Sequence, residues 1–145
     1  MAPNRSTAAL SSPTPLLPPG RPYAALPAAW AALVLVLTLT PADDMPEVPK
    51  WELLSFDTAA HAFVFLLLAA LLYFSLRRQQ RYPALRRHAW LPALLGSVAF
   101  GALIEVLQMT MRLGRHGEWS DVISDALGAG AGVLTGWVLM RVFRL

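Results

Sequence analysis

Four carboxylates, one histidine and two arginines stand in or beside apolar stretches that carry little other charge: Asp57, His61, Glu105, Asp121, Asp125, Arg112 and Arg115. An ionised side chain at mid-bilayer costs about 2.5–3.5 kcal/mol on insertion scales. A chain that keeps Glu105 and Asp125 inside hydrophobic runs needs partners for them, and a polar site between helices supplies those partners. Imidazole beside carboxylates suits proton transfer. Arginines next to them suit a phosphate or another anion. Catalytic candidates are therefore Asp57, His61, Glu105 and Asp121, and ligand-binding candidates are Arg112, Arg115, Gln108 and Asp125.

Each residue also has a plainer reading. Asp57 and Asp121 suit helix N-termini, where negative charge is favoured. A single histidine is more often a satisfied interhelical residue than a ligand. Glu105 can form a structural ion pair with Arg112 or Arg115, and buried pairs are kept for specificity without chemistry. The alignment of all seven outweighs any one of them.

Composition sets the class. The chain has 145 residues, 56% hydrophobic and only 14% charged, with mean hydropathy +0.48. Soluble domains carry about 25% charged residues, so the deficit indicates an integral membrane protein. There is no cysteine, which excludes disulfides, thiolate metal sites and cysteine nucleophiles. The net charge of +3 does not imply nucleic acid, because the arginines lie in short loops where they report topology. No P-loop or serine elbow is present. The acids and histidine could ligate a divalent metal, since imidazole with carboxylates suits several, but no tight metal motif such as HExxH is present, and neither a metal nor another cofactor is expected.

Residues 1–22 hold six prolines (Pro3, Pro13, Pro15, Pro18, Pro19 and Pro22) and read as a disordered tail. Residues 23–145 read as one transmembrane domain. Spans are expected at about Tyr23 to Leu39, Thr58 to Leu76, Ala89 to Thr110 and Val122 to Met140, each near the roughly 17–25 residues a spanning helix needs. The runs are continuous rather than alternating, so helices are expected and strands are not. The first span also resembles a secretory signal, with Arg5 and Arg21 before it and Thr40-Pro41-Ala42 after it. Its apolar stretch is long for a signal.

Charge sets orientation. Arg77, Arg78, Arg81, Arg86 and Arg87 lie between spans two and three without an acid. Asp43, Asp44, Glu47, Glu52 and Asp57 lie between spans one and two against Lys50 alone. Arginine-rich short loops stay cytoplasmic. The expected fold is thus an all-α bundle of four transmembrane helices with both termini cytoplasmic, multi-pass in the cytoplasmic (inner) membrane. This topology delivers the polar residues of three helices to one outer level. Asp57 and His61 share a face at i and i+4. Gly101, Glu105, Gln108 and Arg112 form one stripe on span three. On span four, Asp121 and Asp125 top a stripe of Gly128, Gly132 and Gly136 that permits close helix packing.

At these residues the chain resembles the VanZ-like family of small bacterial membrane proteins. The matching pieces are Phe56-Asp57-x-x-x-His61-x-Phe63, Ile104-Glu105-x-x-Gln108 and Arg115-x-Gly117-Glu118-x-x-Asp121-Val122, followed by Gly128-Ala129 and Gly132. The resemblance covers about residues 26–142. Two positions depart from the pattern: Thr58 stands where the family often has lysine, and Asp125 where it often has asparagine. The second makes the cluster more negative. The resemblance implies a role at the outer face of the cytoplasmic membrane, near cell-wall precursors or envelope lipids, with a link to resistance to the glycopeptide teicoplanin.

The leading expectation is a VanZ-like cell-envelope protein, embedded in the lipid bilayer, that binds or modifies an anionic envelope lipid or cell-wall precursor. Arg112 and Arg115 would hold the anion, while Glu105, His61, Asp57 and Asp121 position them or move a proton. The alternative is a non-enzymatic membrane scaffold, a homo-oligomer associating through the Gly128/Gly132/Gly136 face. A transporter subunit is disfavoured, because four spans leave little room for a pathway.

Overall fold

The computed structural model describes residues 23–40, 56–111 and 119–143. Residues 1–22, 41–55, 112–118 (with Arg112 and Arg115) and 144–145 lie outside the described residues. So does the side chain of Asp57.

The described residues form five helices and no strand: α1 (Ala25–Leu39), α2 (Phe56–Arg78), α3 (Pro83–Arg87), α4 (Trp90–Met111) and α5 (Trp119–Val142). At 1.5 Å rise per residue a spanning helix needs about 20 residues to cross a core of about 30 Å. Three helices meet this with apolar sequence: Thr58–Arg78, Trp90–Met111 and Ser120–Val142. α1 has 15 residues and is shorter than a typical span. The structure therefore carries three membrane-length helices and one shorter apolar helix. The segment between α2 and α4 contains α3, a single helical turn not foreseen as a helix. Tyr82 is extended before it and Pro83 begins it, where a fixed φ and a missing N–H cost nothing.

Many large apolar residues point outward, while the interior combines Phe65, Leu68 and Ile104 with small and polar side chains. Leu127 is 70% exposed while Asp125, two residues earlier, is 1% exposed. Leu95, Leu103, Val106 and Leu134 are exposed as well. A surface of this kind is stable against lipid tails and would be a liability in water.

The helix directions follow from the contacts. A Cβ on Gly128 would overlap the Ala62 carbonyl, and one on Gly132 the Leu66 carbonyl. Each step of four residues on α5 matches four on α2, so the two helices run parallel. Between α1 and α4, Val34 packs with Ile104 and Gln108 Nε2 donates to the Thr38 carbonyl at 2.9 Å, so these two also share a direction. α4 runs against α2: Phe65 meets Phe100, while Tyr73, later on α2, packs on Ala93, earlier on α4. α5 makes its most extensive contact with α2. Trp30 Nε1 donates to the Val64 carbonyl at 3.1 Å and ties α1 to the bundle.

Candidate functional site

The start of α2, the end of α4 and the start of α5 meet at one end of the bundle. His61 is 8% exposed, Glu105 3% and Gln108 4%. One nitrogen of His61 and one carboxylate oxygen each of Glu105 and Asp121 all lie within 4.8 Å of one another. Asp121 is half-buried and sits in the first turn of α5, so it is the most accessible of the three. Among the sequence candidates, the structure unites His61, Glu105 and Asp121. It describes neither arginine nor the Asp57 side chain.

Asp125 lies one turn deeper than Asp121. Its Oδ1 is 3.0 Å from His61 Nδ1. With Nδ1 as donor, this bond fixes the orientation and the tautomer of the imidazole ring. The other oxygen, Oδ2, has no hydrogen-bond partner among the described residues. It lies against Gly101, where a Cβ would come within 2.5 Å of it. Gly101 thus makes the space that the second acid occupies. A glycine on an apolar helix facing an acid on its neighbour is a pairing that neither helix signals alone.

Gln108, a ligand-binding candidate, donates its amide Nε2–H to the Thr38 carbonyl and ties α4 to α1. Sequence reasoning passed over Ser97, which is fully buried on α4, and Ser124, whose hydroxyl donates to the Ser120 carbonyl. A lone serine in an apolar run carries no spacing signal, so neither could be found beforehand.

Below the cluster, Gly128 and Gly132 lie against α2 backbone, and Gly136 lies against the Tyr73 ring at 2.9 Å for an added Cβ. Small residues let helix backbones approach closely in lipid, where dispersion replaces the hydrophobic drive. This face is covered within the chain. An association of separate chains through the same three glycines would have to displace α2.

The opposite end is basic. A cavity of about 510 Å³ there is lined by Tyr73, Arg77, Arg87, Trp90, Trp137 and Arg141, among others, with no acid. Arg141 stacks over Trp137 at 4.3 Å from the ring centre, as amphipathic side chains do at a membrane interface. Among the described residues, the carboxylate cluster lies at one end of the bundle and the arginines of this cavity at the other.

This architecture defines a class: a small helical membrane protein with a buried histidine–carboxylate cluster at one end. The VanZ/LLP1 family model matches residues 21–143, and the chain belongs to that family. Searches of curated proteins and of solved structures find no match.

Proposed function

We propose that the protein acts in the cell envelope, binding or modifying an anionic envelope component at the outer face of the cytoplasmic membrane. In this reading both termini are cytoplasmic and α1 is a fourth span. α1 is short for a typical bilayer, and local thinning or flanking residues accommodate such a helix at modest cost. The orientation is supported by the arginines between α2 and α4, which belong inside.

The carrying observation is the convergence of His61, Glu105 and Asp121 from three helices to within 4.8 Å. Scattered polar residues that only end helices would not meet inside a bundle. A histidine beside two carboxylates can take and return a proton. Arg112 and Arg115, in the loop that joins α4 to α5, would hold the anion by charge-assisted hydrogen bonds.

The test is glycopeptide susceptibility in a teicoplanin-sensitive Gram-positive host. Expression of the parent chain should raise the inhibitory concentration of teicoplanin. Glu105→Gln, expressed to the same membrane level, should not. No rise with the parent, or an equal rise with Glu105→Gln, would remove this reading.

A further inference from the structure

We infer that His61, Glu105 and Asp121 form a binding site for a divalent first-row transition-metal ion, with Asp125 as the residue that orients His61. The inference deepens the reading above by naming what the cluster binds. It does not depend on the identity of any envelope component.

Three observations carry it. The first is convergence: three donor atoms, from three different helices, lie within 4.8 Å of one another. Around a zinc ion at about 2.0–2.2 Å from each ligand, donors sit about 3–4 Å apart. Small side-chain rotations close the difference. The second is burial. Acidic groups often cluster on a wet surface without binding anything, but His61 and Glu105 are buried and only Asp121 is half-exposed. Attraction between a divalent cation and carboxylates is screened less in such a poorly solvated place than in bulk water.

The third is the bond between His61 Nδ1 and Asp125 Oδ1 at 3.0 Å. Metal-binding histidines almost always give their second ring N–H to a carboxylate or carbonyl, which fixes the tautomer and raises ligand basicity. Asp125 does this here from 1% exposure, and Gly101 keeps the space for it. An ionised aspartate is a stronger acceptor for the imidazole N–H than a neutral amide oxygen would be.

The donor set selects the ion. One imidazole with two carboxylates suits zinc, iron(II) or manganese(II). Calcium takes about 6–8 oxygen ligands, more than this site offers. Three protein ligands are the number found in catalytic metal sites, which keep a further coordination position for water or substrate. A metal held there presents positive charge to an incoming anion.

The experiment uses the full chain in detergent, purified with a histidine-free tag and stripped with a chelator. Manganese binding is followed by electron paramagnetic resonance, and zinc by competition with a chromophoric chelator. One ion per chain is expected. Glu105→Gln and Asp121→Asn should each weaken binding by about 100-fold, and Asp125→Asn by about 10-fold, spanning the usual range for metal-site perturbation. Gly130→Ala, on open helix surface, should leave it unchanged. Pulsed resonance on the parent chain needs no variant: bound manganese should show coupling to an imidazole nitrogen, lost in His61→Gln. No stoichiometric binding by the parent, binding indifferent to Glu105→Gln and Asp121→Asn, or bound manganese without nitrogen coupling would each overturn the inference. If metal binds as expected and the teicoplanin phenotype is absent, the site stands and the envelope reading fails.

Discussion

Asp125 on α5 holds His61 on α2 through a 3.0 Å hydrogen bond between Oδ1 and Nδ1. Both residues are buried, and they come from parallel helices whose backbones nearly touch at Gly128 and Ala62, just below. The bond therefore acts where the bundle is tightest, and its loss cannot be made good by water.

Asp125→Ala should destabilise the chain by about 1–3 kcal/mol, since it leaves a buried donor on His61 unmet. Asp125→Asn keeps an acceptor and should cost less. A double-mutant cycle with His61→Ala in detergent unfolding measures the pair directly. Additive losses would mean that the two side chains do not support each other.

Gly132→Ala should lower stability by about 1–3 kcal/mol, because the new methyl meets the Leu66 carbonyl and overpacking forces the backbones apart. Gly130→Ala makes the same chemical change, two residues earlier, where nothing lies within 4 Å. It should be neutral or mildly stabilising, as glycine is the poorer helix former. Thermal melts of the two variants side by side decide this. Equal losses would deny the glycine face its packing role.

Gly101→Ala places a Cβ within 2.5 Å of Asp125 Oδ2. It should destabilise and disturb the His61 contact, and Asp125→Ala in the same chain should partly suppress the loss. Gly96→Ala, with open space around it, serves as the control. Strictly additive effects of Gly101→Ala and Asp125→Ala in chemical unfolding would show that the glycine makes no room for the acid.

Glu105→Gln removes a charge and keeps the shape. If Glu105 is paired with Arg112 or Arg115, breaking the pair costs about 3–5 kcal/mol, and neutralising the partner arginine restores part of it. Coupling energies near zero with both arginines would exclude the ion pair and leave chemistry as the reason for the acid.

The chain has no cysteine, so single cysteines report topology on a clean background. One at Gln79 should resist an impermeant thiol reagent applied outside the cell. Those at Glu47 and Gly117 should react. A cysteine at Pro19 should resist as well, since α1 crosses in the proposed arrangement. Reaction at Pro19 together with Glu47 would reduce the bundle to three spans.

Much was legible in the chain itself. Long apolar runs admit only helices in lipid, so the all-α class and the approximate helix limits follow from composition and length. Periodicity then put Glu105 and Gln108 on one face of α4, and Asp121, Asp125 and the glycines on one face of α5. The short helix at Pro83–Arg87 was not foreseen, because one turn is too short for a periodic signal. In α1, 15 helical residues fall short of a span that the apolar run alone suggested. How the faces meet was not legible there and is set by the packing of helix on helix. In a membrane both the lipid side and the core side of a helix are apolar, so the hydrophobic pattern does not say which neighbour a face takes. Close backbone approach at Gly128 and Gly132 sets the register of α5 against α2. That register, and not any spacing within one helix, brings Asp125 to His61 and closes His61, Glu105 and Asp121 into one cluster.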